Sequence, residues 1–306
     1  MRLDNDSKAF TNIIQETAKH FKILGEYVEK DYWLVLLLKQ ILSNDLDYVF
    51  KGGTSLSKCF HLINRFSEDI DISYSVSYDD IGSSDINRKF KGITKAIREV
   101  GLTISNKDKL RRSAYFNQFQ CPYQSVFDGN ANIEHKVVIE LAGQTPSFPS
   151  IKASIQSFVG EYLESLGRKD LVEKYELQPF EINVQSLERT LVDKTYALCD
   201  YYLSHKCKGH SRHIYDIKKI LTKIELNHSL SELFLSVKAY RQKLPICYSC
   251  KDGIKIHEIL QKIIIEKSYK IDFESKTMTL LYETVSYSEC ENSLIQLRDF
   301  LSQNNL

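Results

Sequence analysis

Two aspartates separated by a single residue, Asp69 and Asp71, have the spacing that points most directly to chemistry. Residues i and i+2 of a strand point to the same side, so both carboxylates project together while Ile70 and Ile72 face the core. Neighbouring carboxylates repel each other unless a cation lies between them. Mg²⁺ prefers a few carboxylates combined with substrate phosphates. On its own such a pair more often marks a solvated strand face, and it predicts a metal–phosphate site when a phosphate-binding turn accompanies it.

A glycine turn upstream supplies the other half of such a site. Residues 48–50 are aromatic or β-branched and predict a short strand, which leads into Gly52 and Gly53. Glycine lets the backbone turn sharply and approach a ligand closely. Thr54 or Ser55 can cap a helix that begins there, and a helix N-terminus presents unpaired N–H groups to an anion. These glycines and hydroxyl residues are therefore predicted to hold phosphates.

Both stretches resemble a known family. Nucleotidyltransferase toxins of the AbiEii/AbiGii type carry a Lys-Gly-Gly-Thr-x-Leu-Ser-Lys run followed by Arg-Phe-Ser-x-Asp-Ile-Asp, and residues 51–58 and 65–71 match these runs. In the wider polymerase-β-like nucleotidyltransferase superfamily serine is common where this chain has Thr54, whose hydroxyl can do the same work. We also assign Lys58 of the first run and Ser67 of the second to the nucleotide site. The resemblance fades after about residue 225.

A lysine in the C-terminal half lies on an apolar helical stripe. Leu187, Leu191, Lys194 and Leu198 follow one another at helical spacing, so Lys194 shares the face that packs inwards. Such a lysine either extends out of the core edge into water or enters a cleft to meet an anionic phosphate. The segment resembles a helix of the toxin family whose lysine contacts the triphosphate, which favours the second alternative.

An aspartate follows in the next predicted helix. Arg212, His213 and Asp216 are similar to the Arg-His-x-x-Asp motif of the family, whose aspartate lies at the active site. The resemblance implies that Asp216 orients or deprotonates the acceptor hydroxyl. The spacing alone is equally compatible with a plain i,i+4 ion pair between Arg212 and Asp216.

A third carboxylate is predicted on a second strand. Residues 133–142 predict a strand in which Glu140 stands between Ile139 and Leu141. In many nucleotidyltransferases a neighbouring central strand supplies a third metal ligand, and Glu140 is the candidate by position. The alternative is a glutamate on an edge strand that reaches water.

Basic residues beside aromatic ones occur between the strand that carries Asp69 and Asp71 and the strand that carries Glu140. Lysines and arginines at 107–112 run into Tyr115, Phe116 and Phe119. Single-stranded RNA is bound by this combination of phosphate contacts and base stacking. We favour the alternative, in which a charged turn leads into a strand whose aromatic side chains face the core.

Composition sets the broad class of the protein. The chain has 306 residues, 42% of them hydrophobic, and a net charge of +1, so any nucleic-acid surface must be local. Seven irregularly spaced cysteines and a polar, charged N-terminus predict a cytoplasmic protein with reduced thiols. The sequence contains no run of about 18 apolar residues, so we expect neither a membrane-spanning helix nor a membrane partner.

The pattern of elements predicts two domains. Residues 7–44 predict helices, with Trp33 in the core, and Pro146, Phe148 and Pro149 mark a break. We expect residues 1–148 to form an α/β (α+β) nucleotidyltransferase core with a small mixed sheet. Residues 149–306 are expected to form a mainly helical domain that completes the active-site cleft with Lys194 and Asp216.

The resemblance implies a reaction and its partners. It implies transfer of a nucleotide from an NTP, with Mg²⁺ or Mn²⁺ at Asp69 and Asp71, to an RNA acceptor such as a tRNA end. The protein would be a toxin of a toxin–antitoxin or abortive-infection system active in phage defence, neutralised by a separate antitoxin protein. Two alternatives stay open: transfer to a small molecule or a protein side chain, and a nucleotide-binding regulator without catalysis.

Overall fold

The computed structural model describes residues 1–44, 48–75, 82–111, 116–127, 133–143 and 145–306. Its contacts divide the chain into two compact units. The first unit contains residues 1–60 and 67–184, and the second contains residues 61–66 and 185–306. The predicted boundary at residues 148 and 149 falls inside the first unit.

A mixed sheet forms the centre of the first unit. In the described part of the chain it has six strands in the order β3-β4-β2-β1-β6-β5. β1 runs antiparallel to β2 and parallel to β6, while β2 and β4 are parallel and β3 and β4 antiparallel. This confirms the predicted α/β core with a small mixed sheet. The strands are β1 Tyr48–Lys51, β2 Asp69–Tyr74, β3 Phe116–Pro122, β4 Lys136–Ala142, β5 Ser150–Ile155 and β6 Phe180–Gln185.

Helices of the first unit enclose its hydrophobic core. Asp6 caps the first helix by accepting a hydrogen bond from the Ala9 amide at 3.2 Å. Residues 33–38 of the second helix form its apolar part, and Trp33 lies in the core as predicted, with its ring stacked on Tyr123 at 5.7 Å between centroids. The helices are α1 Ser7–Phe21, α2 Gly25–Asn44, α3 Gly52–Lys58, α4 Ser83–Glu99, α5 Phe158–Ser165 and α6 Lys169–Lys174.

Three consecutive charged residues of α2 are buried together with its apolar residues. Glu29, Lys30 and Asp31 expose between 0% and 9% of their surface. Asp31 binds the Lys58 ammonium at 3.0 Å and accepts a hydrogen bond from the Phe158 amide at 2.7 Å. Burial raises the pKa of Asp31, although Lys58 and the amide act against this shift. The pair thus ties α2 to the last residue of α3.

The second unit is mainly helical, as predicted. Ser186 caps the long helix that carries Lys194, because its hydroxyl accepts a hydrogen bond from the Arg189 amide at 3.2 Å. A π-helical turn, Phe273–Thr277, separates two short helices. None of the helices in the described ranges is long and apolar enough to cross a bilayer. The helices are α7 Leu187–Leu203, α8 Arg212–Leu221, α9 His228–Arg241, α10 Ile256–Glu266, α11 Lys270–Asp272, α12 Met278–Leu280 and α13 Tyr287–Gln303.

A short segment from the N-terminal part of the sequence, residues 61–66, belongs to this helical unit. Arg65 forms a β-bridge with Leu281, and the Phe66 amide donates to the Leu280 carbonyl oxygen at 3.0 Å. The Asn64 amide donates to the Tyr215 hydroxyl at 2.8 Å. Backbone and side-chain hydrogen bonds therefore fix the segment within the second unit.

The buried pair of Lys58 and Asp31 leads to a stability prediction. Lys58→Met should lower the free energy of unfolding by about 3–5 kcal/mol, because it leaves a carboxylate buried without its cation. Urea denaturation measures this loss, and adding Asp31→Leu should recover most of it. The control is Lys152→Met, which removes an exposed ion pair with Glu181 and should leave the midpoint nearly unchanged. Wild-type stability in Lys58→Met would contradict a structural role for the pair.

Candidate active site

The strand β2 carries both predicted metal-binding aspartates on one face. Asp69 and Asp71 are half-buried, whereas Ile70 and Ile72 between and after them are completely buried. This alternation is the one that the sequence predicts for a strand with one face in the core. The two carboxylates therefore project to the same side of the sheet.

The register extends this face over the neighbouring strands. Asp71 is the register partner of Lys51 on β1 and of Glu140 on β4, and Glu140 is the partner of Gln118 on β3. Register partners carry their side chains on the same face. Glu140 lies on an internal strand and accepts a hydrogen bond from Gln118 Nε2 at 3.0 Å. The sheet thus places Glu140 beside Asp71.

The helix after the glycine turn begins earlier than the sequence suggests. Its first residue is Gly52, and the capping position is Lys51, which contributes no side-chain hydrogen bond. The prediction that Thr54 or Ser55 caps the helix is therefore wrong. The Thr54 hydroxyl instead donates to the Asp69 carbonyl oxygen at 2.6 Å and lies 3.1 Å from Ser67 Oγ. The Ser55 hydroxyl donates to the Gly52 carbonyl oxygen at 2.9 Å.

Gly52 and Asp71 are in such close contact that only glycine fits. Gly52 has a φ of +78°, in the left-handed region. A Cβ atom at this position would lie 1.8 Å from Asp71 Oδ2, far inside van der Waals contact. Gly53 follows in the first turn of α3. The turn therefore brings bare backbone next to the carboxylate of Asp71.

A buried lysine fixes the residue that precedes Asp69. Lys30 of α2 is 2% exposed, forms an ion pair with Glu68 and donates to the Glu134 carbonyl oxygen at 3.1 Å. Together with the Thr54 hydrogen bond, this pair holds the start of β2 in place. Sequence reasoning missed Lys30, whose signal was its place in a run of three charged residues directly before the apolar part of the helix.

Lys58, predicted to bind the nucleotide, has carboxylate partners within the first unit. Its ammonium lies 3.0 Å from Asp31 and 3.4 Å from Glu161, and 3.8 Å from the centroid of the Phe158 ring. The side chain is 4% exposed. These contacts place the Lys58 charge in the core at the end of α3.

In the second unit a buried cluster joins Lys194, Asp216 and Arg65. Arg65 binds Asp216 through two parallel hydrogen bonds of 2.7 Å, from Nε to Oδ1 and from Nη2 to Oδ2. Lys194 donates to Asp216 Oδ2 at 2.6 Å. Asp216 is completely buried, and the side chains of Arg65 and Lys194 are 2% and 8% exposed. In the described part of the chain Asp216 forms no ion pair with Arg212, so the local i,i+4 alternative is wrong.

This cluster keeps Asp216 ionised. Burial alone would raise the pKa of Asp216, but the charges of Arg65 and Lys194 outweigh it and hold the pKa below its usual range. The neighbouring His213 ring has its pKa lowered by burial and by the Lys194 charge. Asp216 is therefore a fixed anion between two cations.

The basic and aromatic stretch at residues 107–119 leads into a strand with a buried aromatic side chain, which is the interpretation that we favoured from the sequence. Phe119 of β3 is completely buried and packs against the Phe90 ring at 5.3 Å between centroids, whereas Phe116 at the start of the strand is 44% exposed. Arg112 and Tyr115 lie outside the described residues. The contacts of Phe119 confirm that this aromatic side chain serves packing.

The donor set on β2 fits a divalent cation. Carboxylate oxygens are the ligands that Mg²⁺ and Mn²⁺ prefer, and β2 presents two of them on one face. Among the described residues no three His, Cys, Asp or Glu side chains are gathered closely enough to hold a metal ion together. Asp69 and Asp71 therefore remain the predicted pair, and the part of Glu140 as a third ligand stays a prediction.

Comparisons with known proteins agree with this geometry. Residues 36–289 match the family described as nucleotidyl transferase AbiEii toxin of type IV toxin–antitoxin systems. Comparison with curated protein sequences gives no match. The fold is similar to that of MenT4, a nucleotidyltransferase toxin from Mycobacterium tuberculosis H37Rv, with a TM-score of 0.62 and 17% identity over 94% of this chain and 89% of that chain. Because the family match spans most of the sequence, the chain belongs to the AbiEii family of nucleotidyltransferase toxins and is itself a nucleotidyltransferase.

Proposed function

We propose that this toxin transfers a nucleotide from an NTP to RNA, with a tRNA end as the acceptor, in the cytoplasm. The observation that carries the proposal is the shared face of Asp69 and Asp71 on β2, with the Gly52 backbone packed against Asp71. A type IV toxin–antitoxin family implies a nucleotide substrate and an antitoxin partner. The RNA acceptor is supported by the family resemblance alone.

A divalent cation is part of the proposal. Asp69 and Asp71 would hold Mg²⁺ or Mn²⁺, with Glu140 next to Asp71 in the sheet register. When bound, such ions activate the attacking hydroxyl and stabilise the leaving pyrophosphate. The protein supplies the fixed carboxylates, because Thr54 and the Lys30–Glu68 pair hold the start of β2 in place.

The glycine turn is assigned to the phosphates of the NTP. Gly52 and Gly53 have no side chains, so a phosphate can approach the backbone at the start of α3. The hydroxyls of Thr54, Ser55 and Ser67 line this turn and fix its geometry through their own hydrogen bonds. We assign Lys58 to anchoring α3, because its ammonium already faces two carboxylates.

Lys194 is assigned to the triphosphate, as the resemblance implies. In the described residues its ammonium has one hydrogen-bond acceptor, Asp216 Oδ2, although an ammonium carries three N–H donors. The remaining donors are available to a phosphate. We assign Asp216 to orienting Lys194 and not to deprotonating the acceptor, because the charges of Arg65 and Lys194 hold its pKa below the usual range and make it a weak base.

The alternatives differ from the proposal in the acceptor or in catalysis. Transfer to a small molecule or a protein side chain uses the same carboxylates, and a nucleotide-binding regulator uses the same turn without transfer. Purified protein should be incubated with each α-³²P-labelled NTP and with total RNA, purified tRNA or total cell protein in separate reactions. Label in the tRNA supports the proposal, label in protein supports the alternative acceptor, and bound but untransferred NTP supports the regulator.

The carboxylate pair leads to a prediction for this assay. Asp69→Ala and Asp71→Ala should each abolish labelling, because each removes a proposed ligand of the divalent cation. Their melting temperatures should stay near that of the wild type or rise, since removal of one carboxylate relieves like-charge repulsion. A chelator should stop the wild-type reaction, and added Mg²⁺ or Mn²⁺ should restore it. Full activity of either variant, or activity in excess chelator, would refute the assignment.

Toxicity gives a prediction in cells. Expression of the wild-type protein without an antitoxin should arrest bacterial growth, and Asp71→Ala at equal soluble level should not. Growth curves with immunoblots of the soluble fraction make the comparison. Normal growth with abundant soluble wild-type protein would contradict toxicity in that host while leaving nucleotidyl transfer to be decided by the labelling assay.

The contact between Gly52 and Asp71 leads to a prediction with a matched control. Gly52→Ala should lose most of the transfer activity, because the new methyl group must displace the Asp71 carboxylate. Gly167→Ala is the control. Gly167 also has a positive φ, of +70°, but a methyl group added there would have no described atom within 4 Å. Both variants carry a backbone strain of about 1–2 kcal/mol. Equal activity of the two variants after correction for folded protein would contradict a special role for Gly52.

A further inference from the structure

Arg65 is the first residue of the family run 65–71 and one of the two cations that bind Asp216, but the sequence predicted no role for it. Its guanidinium forms a two-pronged contact with Asp216, both bonds 2.7 Å long. Such planar contacts fix orientation as well as distance, which a single hydrogen bond cannot do. The plane and position of the Asp216 carboxylate are therefore set by Arg65.

The position of Lys194 depends in turn on this carboxylate. Asp216 Oδ2 is shared between Arg65 Nη2 at 2.7 Å and Lys194 Nζ at 2.6 Å. Because Lys194 has no other hydrogen-bond acceptor among the described residues, Asp216 decides where its ammonium lies. A flexible lysine side chain thereby becomes a fixed cation.

Arg65 is itself held firmly in the helical unit. Its Nη1 donates to the Phe66 carbonyl oxygen at 2.9 Å, and its backbone bridges to Leu281. The Tyr282 amide donates to the Asn64 carbonyl oxygen at 2.8 Å on the other side of the bridge. The order of fixation thus runs from the backbone of residues 64–66 to the guanidinium, then to Asp216, and finally to Lys194.

We propose that Arg65 is a positioning residue for nucleotidyl transfer, which acts by holding Lys194 in place through Asp216. This inference rests on the proposed contact of Lys194 with the triphosphate. A preorganised cation stabilises developing charge only if it is already in place, and a displacement of about 1 Å can lower the rate by about 10²-fold. Arg65 supplies that preorganisation without touching the substrate.

The experiment compares three variants in the labelling assay. Arg65→Lys keeps the positive charge but loses the two-pronged contact, and should lower kcat by about 10²-fold with a smaller change in KM for the NTP. Lys194→Met removes the cation and should lower kcat by about 10²–10³-fold. The control is Arg241→Lys, which alters another guanidinium–carboxylate contact of the same unit, to Asp200 at 2.8 Å, and should keep the wild-type kcat per folded molecule.

The double variant Arg65→Lys/Lys194→Met decides between positioning and a general structural role. If Arg65 acts through Lys194, the double variant should be no slower than Lys194→Met alone. The inference would be overturned if the loss of kcat in the double variant equalled the product of the two single losses. An Arg65→Lys variant as active as Arg241→Lys would also overturn it. Wild-type activity of Lys194→Met would overturn the proposed role of Lys194 itself, and the inference with it.

If Arg65→Lys does not fold, a double variant and its combination with Lys194→Met test the same inference. Arg65→Gln/Asp216→Asn removes the arginine cation and the anion, keeps an amide oxygen as a hydrogen-bond acceptor for Lys194, and leaves Lys194 as the one charge of the three, which Lys194→Met then removes. Circular dichroism and thermal melting report whether it folds. The expected result is a folded protein with lowered kcat that is not lowered further by adding Lys194→Met. A folded protein with wild-type kcat would overturn the inference.

Discussion

A charge can be taken out of water only where opposite charges or hydrogen bonds compensate its lost hydration, and this constraint organises both units of the protein. In the first unit Lys30 meets Glu68, and Lys58 meets Asp31. In the second unit Arg65 and Lys194 meet Asp216. Lys58, Arg65 and Glu68 belong to one short stretch of chain, which leads directly into Asp69. The sequence that carries the proposed chemistry therefore follows a stretch held by ion pairs, in each of which at least one partner is buried.

The spacing of apolar and charged residues was sufficient to predict which side chains share a face of a strand or helix. The alternation at 69–72 predicted a shared face for the two aspartates, and the leucine stripe predicted that Lys194 lies on the inner face of its helix. Partners distant in sequence were not predictable. Asp216 and Arg65 are 151 positions apart, so the motif around Asp216 suggested Arg212 instead. Without a second sequence or a fold, nothing connects two charges over such a distance.

The start of α3 and the end of the first unit both differ from the positions predicted from the sequence, and the physical reason is the same. The hydroxyls of Thr54 and Ser55 fit a helix cap, but the Thr54 hydroxyl finds its acceptor on β2, and the helix begins at Gly52. Pro146 and Pro149 lie between β4 and β5, yet β6 pairs with β1 and the first unit extends to Val184. Local signals report a change of backbone direction, whereas tertiary hydrogen bonds decide where an element or a unit ends.

The surroundings of Asp216 favour one of the two roles that the family motif left open. A general base must accept a proton near the working pH, which requires a pKa close to that pH. Both oxygens of Asp216 accept charge-assisted hydrogen bonds, three in all, and the pKa of the group lies below its usual range. Protonation would break these bonds inside a buried cluster. The same bonds make Asp216 effective as an anchor, because an anion that stays charged keeps its two cations in fixed positions. An electrostatic role for Asp216, exerted through Lys194, is therefore favoured over proton transfer.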